Sequence, residues 1–377
     1  MKDEYSDSKS DLFAAFIERC TRLAGPRGLA AMITMQSWMF LSSYEKLRKT
    51  LLSNQQISSM LHLGARAFDS IGGEVVSSTA FVLDNVTPEG RSAGAFIRLV
   101  DGNSEAEKMA ALSNALESRN KEMGFHLASD ADFTVVPGSP IVYWLSEKMR
   151  ATFSVGRPLG EISTPLVGLR TGDNSRFMRQ WWEVSKERSA LGCDSLNAAE
   201  ASGARWFPYN KGGAFRRWYG NHEFVVNWEH DGKEVEEALA IRYPYLVPAG
   251  KALVRGQGRN QYFSPAVSWS AITSGNPSFR YYPQGFIPSN AGMACYAQET
   301  TLMSVVSIAN SAVAEQLLSA IAPTLNLGAG ETAKVPMPSR ADDGIQARVV
   351  ALIENSSADW NSAETSWGFV ENPLINT

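Results

Sequence analysis

The pattern of apolar and polar residues over the first 90 positions predicts alternating helices and strands. A first helix is expected from Ser10 and Asp11 onward, because the residues that follow recur at helical spacing. This apolar stripe consists of Phe13, Phe16, Ile17, Cys20 and Leu23. A second amphipathic helix is predicted over 43–54, and apolar runs at 29–34, 57–63 and 75–83 are typical of buried strands. The order helix, strand, helix, strand, loop, strand indicates an α/β protein whose longest connection is 64–73.

This set of elements is incomplete as a domain. Three strands and two helices form only the margin of a doubly wound sheet, and a parallel edge strand carrying Ala30, Met32 and Ile33 would be exposed. We therefore expect the latter half of a larger fold, completed by another segment or another chain.

The pattern changes after Gly156, where glycine, proline and aromatic residues become frequent and short strands such as 224–228 are predicted. Before that point, helices are expected at 105–116 and 141–149; after it, helical periodicity returns only at 301–321 and 340–355, ahead of an extended tail over 359–369. The predicted domains are an α/β domain over 1–155, a mostly β domain over 156–340 and a short helical tail over 341–377.

Charge and cysteine content narrow the class of protein. The net charge of the chain is -4, but residues 150–290 carry 17 Lys and Arg against 12 Asp and Glu, so positive charge is concentrated in the middle of the chain. Three separated cysteines, Cys20, Cys193 and Cys295, argue against a disulfide framework and a zinc site. No apolar run approaches the roughly 20 residues that span a bilayer, so a cytoplasmic protein without a membrane partner is expected.

Several catalytic signatures are absent from the sequence. The four histidines, His62, His126, His222 and His230, are scattered, and no metal site is predicted from them. There is no GxSxG elbow, no GxxxxGK[ST] phosphate loop and no distinctive carboxylate pair. The Gly328-Ala329-Gly330 sequence lacks the strand-to-helix context of a cofactor loop and is interpreted as a turn.

The segment 168–220 has the composition of a nucleic-acid-binding surface. It combines cations, amides and aromatic rings on glycine-containing turns, and these groups neutralise phosphate, read base edges and offer stacking surfaces. The residues predicted to contact DNA from this pattern are Arg170, Asn174, Lys211, Arg216, Arg217 and Trp218. The alternative is a solvated charged surface over packed aromatics. Four other tryptophans are expected in the core: Trp181, Trp182, Trp206 and Trp228.

Several blocks of the sequence resemble a known family. The blocks 8–19, 28–34, 64–69 and 75–83 are similar to the later conserved blocks of amino-group adenine DNA methyltransferases, and most similar to BREX phage-defence methyltransferases of the PglX type. The Gly168-Leu169-Arg170-Thr171-Gly172-Asp173-Asn174 block resembles the start of their target-recognition domain, and 205–220, 279–283 and 359–367 continue the likeness. The resemblance covers nearly the whole chain.

The resemblance implies a fold and roles for particular residues. The fold would be the latter strands of a Rossmann-like S-adenosylmethionine-dependent methyltransferase sheet, followed by a target-recognition domain that binds double-stranded DNA. By family alignment, Phe16 would lie against the adenine of the cofactor and Phe68 would stack on the flipped target base. The alternative is that both are core residues. The resemblance also adds Thr171, Asp173 and Arg280 to the predicted DNA-binding set.

Two motifs of the family are missing from the sequence. Neither a glycine-rich cofactor loop nor an Asn-Pro-Pro-Tyr block occurs, and the chain is expected to begin just after them. Asn276-Pro277-Ser278-Phe279 is not a substitute, because Ser278 replaces the second proline and the block lies in the recognition region. The absence matters because an exocyclic adenine nitrogen is a poor nucleophile, which these enzymes hold by hydrogen bonds to its amine.

Two functions of different classes remain open on this basis. The first is the distal half of a site-specific DNA adenine N6-methyltransferase of a phage-defence, restriction-modification-like system. It would use S-adenosylmethionine only when combined with an N-terminal methyltransferase half, and would work with other proteins of that system. The second is a non-catalytic DNA-binding recognition module or a truncated remnant. Only the first predicts methylation after reconstitution with a matching first half.

Overall fold

A computed structural model describes residues 4–71, 76–86, 93–245, 258–273, 275–322, 325–338 and 343–375. The chain divides into two compact units, Met1–Val155 and Gly156–Thr377.

The first unit is built on a five-stranded sheet in the order β1-β3-β2-β4-β5. Its strands are β1 (Leu29–Met35), β2 (Gln56–Gly64), β3 (Ser78–Asp84), β4 (Gly94–Arg98) and β5 (Phe125–Ala128). The strand β3 runs antiparallel to both of its neighbours, with Met32 opposite Phe81 and Met60 opposite Phe81. The strands β2 and β4 are parallel, and β5 is antiparallel to β4.

Among the described residues of this unit, five α-helices accompany the sheet. They are α1 (Leu12–Ala24), α2 (Glu45–Asn54), α3 (Glu105–Ser118), α4 (Asp130–Thr134) and α5 (Glu147–Val155). The guanidinium of Arg48 on α2 is buried and donates to the carbonyl oxygens of Trp38, Leu41, Gly138 and Ser139. The four contacts connect α2 to the 38–41 and 138–139 segments, so Arg48 holds these segments together.

The sequence predicted most of these elements. The strands at 29–34 and 57–63 and the helices near 43–54 and 105–116 are confirmed, and β3 confirms the later part of the third predicted strand; Val75 lies outside the described residues. The predicted helix at 141–149 is wrong, because Ile141 to Tyr143 form a buried, non-helical segment and α5 begins at Glu147. The predicted parallel edge is also wrong. The strand β1 lies at an end of the sheet, but its pairing with β3 is antiparallel.

The second unit contains two four-stranded sheets and one strand pair. The first sheet has the order β13-β9-β10-β8, the second β12-β11-β14-β7, and β15 pairs with β6. The strands are β6 (Arg157–Pro158), β7 (Thr164–Leu166), β8 (Met178–Gln180), β9 (Trp206–Asn210), β10 (Phe224–Asn227), β11 (Ala266–Ser270), β12 (Phe279–Tyr282), β13 (Ile287–Pro288), β14 (Gly292–Tyr296) and β15 (Pro336–Met337).

Helices are more frequent in this unit than the sequence pattern predicted. They are α6 (Leu159–Ile162), α7 (Asn174–Phe177), α8 (Leu196–Ala201), α9 (Glu229–Arg242), α10 (Glu299–Ala309), α11 (Ala312–Ile321), α12 (Ala329–Thr332) and α13 (Asp343–Asn361). The expectation of a mostly β region is therefore corrected to a mixed one. The helix α9 was missed because Gly232 and neighbouring left-handed residues interrupt its first turn and its apolar stripe is weak.

The core of the second unit packs α9 against the first of its sheets. Val235 and Leu239 of α9 join Phe207, Trp228 and Ile287 in one buried cluster. Trp228 is thus a core residue as predicted, whereas the expectation for Trp182 is wrong, since its side chain is 45% exposed. Within the described ranges no single helix is long and apolar enough to cross a bilayer; α10 and α11 meet that test only as a pair bent by 80°.

Candidate functional site

Phe16 lies on the outer side of α1. The helix buries Ala14, Ala15 and Ile17 against the rest of its unit, while Phe16 is 53% exposed. Leu12 and Leu23, which share the side of Phe16 at helical spacing, are 58% and 70% exposed. The interpretation of Phe16 as a core residue therefore does not hold within the described residues, and its ring is available to a ligand or another segment.

The sheet next to α1 also presents apolar surface. Along β1, Leu29 and Ile33 are 65% and 62% exposed, although both are large aliphatic residues. A shallow groove lined by residues of β1, β2 and β3, among them Met32, Leu61 and Phe81, lies over the same sheet. Contiguous apolar surface at a sheet edge is characteristic of an interface rather than of a solvated surface.

Phe68 lies in the loop that follows β2 and is 37% exposed. The loop is tied to the start of α3 by a reciprocal pair of hydrogen bonds: the Asp69 amide donates to Glu105 Oε1 at 2.8 Å, and the Glu105 amide donates to Asp69 Oδ1 at 3.0 Å. The guanidinium of Arg66 donates to Asn103 at 3.3 Å. Phe68 is thus a partly exposed ring whose neighbours Arg66 and Asp69 are both held by hydrogen bonds.

A polar and aromatic cluster lies on β2, just before that loop. His62 is buried; its Nδ1 is 3.0 Å from the Tyr143 hydroxyl and its Nε2 is 2.8 Å from Gln36 Oε1. Phe40 and Trp144 contact the imidazole ring, and the Arg98 guanidinium lies over Trp144. Burial lowers the pKa of His62 to about 3, so the ring is neutral near pH 7. Its two nitrogens hold Tyr143 and Gln36 in place by hydrogen bonds. Histidine spacing alone could not reveal this cluster, because its members are far apart in sequence.

In the second unit, the 168–177 loop is built on Leu169. Its amide donates to Pro288 O at 2.8 Å, and its carbonyl accepts the buried Tyr209 hydroxyl at 3.0 Å. Three of the residues predicted to contact DNA form hydrogen bonds within the loop itself. Asp173 caps α7 by accepting from the Arg176 amide, and the Thr171 hydroxyl donates to Asn174 Oδ1 at 2.6 Å. Arg170 is exposed at the surface of this loop.

The loop from Lys211 to Asn221 is held along its backbone. The Ser270 hydroxyl donates to Gly213 O at 2.9 Å, and the buried Asn221 amide group donates to Ala214 O at 3.0 Å. Further along, the Trp218 amide donates to Phe279 O at 3.1 Å and the Tyr281 amide to Trp218 O at 2.8 Å, which joins the loop to β12. Trp218 has a φ of 73°, and its side chain is partly buried.

The predicted DNA-binding arginines differ in burial and in the contacts that they make. Arg280 is fully buried and donates to Arg216 O, Ser278 Oγ and Ser270 Oγ, so it supports the loop from beneath and the expectation of a surface contact is corrected. Arg216 is ion-paired with Asp359 at 3.0 Å and lies over the Trp360 ring. Arg217 lies over the ring of Phe215, and its Nε has no hydrogen-bond partner among the described residues.

The contact between Arg216 and the Trp360 ring requires glycine at position 220. Gly220 has a φ of 118°, and a Cβ there would lie 2.4 Å from Arg216 Cδ and 2.9 Å from Trp360 Cε3. Only glycine allows the Arg216 side chain to pass over the backbone and reach the Trp360 ring.

Much of the local positive charge is neutralised within the second unit. Glu234 pairs with Arg176 at 2.8 Å and with Arg205 at 3.1 Å, and Glu229 pairs with Arg188 at 3.4 Å. The hydrogen bond from Arg176 is the main cause of the lowered pKa of Glu234. By contrast, Arg170, Lys211 and Arg217 form no salt bridge in the described part of the chain. These three cations are therefore better candidates for phosphate contacts than the arginines that are already paired with carboxylates.

Comparison with known proteins is consistent with these features. Residues 1–68 match the family model described as Eco57I restriction-modification methylase. The chain is 37% identical over 373 residues to the adenine-specific methyltransferase PglX of Lacticaseibacillus casei (strain Zhang), covering 98% of this chain and 30% of that protein. The resemblance to PglX-type methyltransferases is confirmed. The adenine-specific methyltransferase BrxX of Escherichia coli O9:H4 (strain HS) is also 37% identical, over 378 residues, covering 99% of this chain and 29% of BrxX.

This chain thus spans less than a third of the length of the curated relatives that it matches. Solved structures that share its fold include two restriction-modification enzymes. One is the Type IIL restriction-modification enzyme MmeI in complex with DNA, with a TM-score of 0.54 and 12% identity, covering 97% of this chain and 47% of MmeI. The other is a nuclease-deletion mutant of the Type ISP enzyme LlaGI with a DNA substrate mimic, with a TM-score of 0.51 and 10% identity, covering 92% of this chain and 31% of LlaGI.

Proposed function

We propose that this chain is the distal methyltransferase portion and the target-recognition domain of a site-specific DNA adenine N6-methyltransferase of a BREX phage-defence system. The observation that carries this proposal is the 37% identity to PglX and BrxX over 98% and 99% of the chain. The enzyme would act in the cytoplasm on double-stranded DNA, together with other proteins of the defence system. The first unit would contribute the latter strands of a Rossmann-like sheet.

S-adenosylmethionine would supply the methyl group that is transferred to the exocyclic nitrogen of the target adenine. Phe16 fits a cofactor contact, because its ring is exposed on α1 and can lie flat against a purine. Phe68 fits a stacking role on the flipped base, because it is partly exposed on a loop anchored through Asp69 and Glu105. Holding the flipped base in this way would reduce the freedom of the amine relative to the methyl donor.

The exposed apolar surface of the first unit supports a methyltransferase half as the partner. Leu12 on α1 and Leu29 and Ile33 on β1 would be buried by a segment that extends the sheet beyond β1. The glycine-rich loop and the Asn-Pro-Pro-Tyr block, which do not occur in residues 1–377, would belong to that half. The occupant of this surface is therefore proposed to be the methyltransferase half itself.

Reconstitution tests the proposal. The chain is mixed with the portion of PglX that carries both missing motifs, and transfer of radiolabelled methyl groups to unmethylated DNA is measured. We expect N6-methyladenine from the mixture and none from either part alone. Full-length PglX is the positive control, and a partner with its motif asparagine replaced by alanine is the negative control. A mixture that co-purifies but leaves DNA unmethylated would overturn the proposal.

A variant at Phe68 separates catalysis from binding in the same assay. Phe68→Ala is expected to lower methylation by about tenfold or more, since stacking of one base on an aromatic ring contributes roughly 1–3 kcal/mol. Duplex binding should change little. Equal losses of both would assign Phe68 a structural role instead.

A further inference from the structure

Phe215 is an aromatic residue presented to solvent by a firmly held loop. Its side chain is 59% exposed, although phenylalanine has no polar atom that gains from hydration. The backbone before and after it is fixed: Gly213 O accepts from Ser270, Ala214 O from Asn221, and the Arg216 amide donates to Ser278 Oγ at 3.3 Å. The exposure of Phe215 is thus a consequence of an anchored loop.

The anchoring groups are themselves buried. Arg280 is 0% exposed and reaches the carbonyl of Arg216 at 3.3 Å, while Asn221 is 7% exposed. Gly213 has a φ of 136°, and a Cβ there would lie 2.8 Å from the Asn221 side chain, so the turn that precedes Phe215 requires glycine. The loop therefore uses a buried cation, a buried amide and a glycine turn to hold one exposed ring in place.

The two arginines that follow Phe215 make different contacts. The Arg216 guanidinium is engaged with Asp359 and the Trp360 ring, which leaves it as an anchor to α13. The Arg217 guanidinium carbon lies 5.5 Å from the centre of the Phe215 ring and forms no salt bridge with the described residues. An exposed ring and an unneutralised cation therefore lie side by side on the same loop.

We infer that Phe215 is a wedge that inserts between stacked base pairs of duplex DNA, with Arg217 contacting an adjacent phosphate. Apolar side chains on positively charged surfaces unstack base steps in this way, and the deformation is offset by the additional contacts that bent DNA makes. Trp218, the residue expected from the sequence to face DNA, is partly buried and tied to β12 by its backbone. This inference rests on the proposed function and adds a DNA-distorting residue to its recognition domain.

Binding by the full chain and its variants tests the wedge. The probe is a short fluorescent duplex with a randomised centre, and its anisotropy is followed at low salt. We expect Phe215→Ala to weaken binding by about fivefold or more, whereas Phe215→Trp, which keeps a flat ring, should remain close to the native chain. Trp182→Ala is the matched control, because it removes another exposed aromatic ring, 45% accessible, from the same unit. It should bind like the native chain.

Photo-crosslinking supplies a readout that an indirect effect on folding would not give. Benzoylphenylalanine is placed at position 215 or, as the control, at position 182, and the irradiated complex with the same duplex is digested to nucleosides. Crosslinks to bases that form from position 215 and not from position 182 support the wedge. If the native chain binds DNA while Phe215→Ala is unchanged and position 215 gives no base crosslink, the wedge is overturned and the proposed function stands. If the folded native chain does not bind duplex at all, both are overturned.

Discussion

The guanidinium of Arg216 lies 3.0 Å from the carboxylate of Asp359, and so joins the loop from Lys211 to Asn221 to the end of α13. Trp360, the next residue on that helix, lies under the same guanidinium and is buried. His222 contacts the Trp360 ring, and Trp181 Nε1 donates to Thr365 O at 2.8 Å. The C-terminal segment is therefore part of the structure that holds the candidate DNA-binding loop in place.

The C-terminal segment should stabilise the fold mainly through the buried Trp360 ring, and only weakly through the Arg216–Asp359 ion pair. Trp360→Ala removes a large side chain that is only 8% exposed and should lower the free energy of unfolding by about 3 kcal/mol or more. Asp359→Asn breaks a pair whose carboxylate is 70% exposed and should cost less than about 1 kcal/mol. Urea unfolding of the two variants measures both values. A larger effect of Asp359→Asn would contradict this ranking.

Arg280 should be replaceable neither by alanine nor by lysine. Its buried guanidinium bonds to three acceptors, and a lysine ammonium keeps the charge but cannot reproduce the fork geometry. We expect Arg280→Lys to lose about 1–3 kcal/mol of unfolding free energy and to weaken DNA binding through the displaced loop. Arg188→Lys is the control, because the Arg188 side chain is 55% exposed and already paired with Glu229, and it should change neither stability nor DNA binding. Native-like stability and binding of Arg280→Lys would contradict the supporting role.

Sequence patterns captured the parts of this fold that depend on local chemistry. The strands β1 and β2 were readable because β-branched and large apolar residues form short runs, and α1 was readable because its stripe has a clear period. The antiparallel insertion of β3 between them was not readable, because pairing direction is set by contacts distant in the sequence. Phe16 illustrates the same limit, since its helical stripe continues past the buried face and only the structure shows which side is exposed.

The predicted DNA-binding set was limited in the same way. Residue type and turn context selected Arg170, Arg216 and Arg217, and the family resemblance added Arg280, without distinguishing between these cations. Their different roles arise from contacts distant in the sequence: Asp359 lies 143 residues from Arg216, and Arg280 lies 64 residues from the Arg216 carbonyl that it supports. Phe215 was not selected, because nothing local distinguishes an exposed phenylalanine from a core residue until its neighbours are known.

Salt dependence should distinguish free cations from paired ones. Arg217→Gln is expected to reduce the slope of log K against log salt by about one, because each phosphate contact releases roughly one counterion. Arg176→Gln is the matched control, since Arg176 is already paired with Glu234 at 2.8 Å. Its slope should stay close to that of the native chain. Equal slopes for all three proteins would assign no phosphate contact to Arg217.

Acid should destabilise the second unit through His222. This imidazole is enclosed by Tyr219, Tyr282 and Phe286, and burial lowers its pKa to about 3. Because the unfolded chain binds a proton near pH 6.5 and the folded chain does not, the contribution of the neutral ring is fully present above about pH 6.5. It is lost as the pH falls toward 3, by up to about 1.4 kcal/mol per pH unit.

His222→Phe tests this origin of the acid sensitivity. The variant keeps an aromatic ring in the enclosure and removes the titrating nitrogen, so its stability should depend less on pH between about 4 and 6.5 than that of the native chain. Chemical unfolding at several pH values, followed by tryptophan fluorescence, gives the comparison. An unchanged pH dependence would show that other groups are responsible.

The exposed edge strand β1 of the first unit should cause the isolated chain to self-associate. Ile33 on β1 is 62% exposed at an end strand, where unpaired backbone groups and apolar side chains favour association with other chains. Ile33→Lys should therefore reduce self-association in sedimentation velocity, and it should also weaken co-purification with the methyltransferase half. Ile272→Lys is the matched control, because Ile272 is 73% exposed in the second unit. If Ile272→Lys has the same effect as Ile33→Lys, general surface charge, and not the β1 edge, controls association.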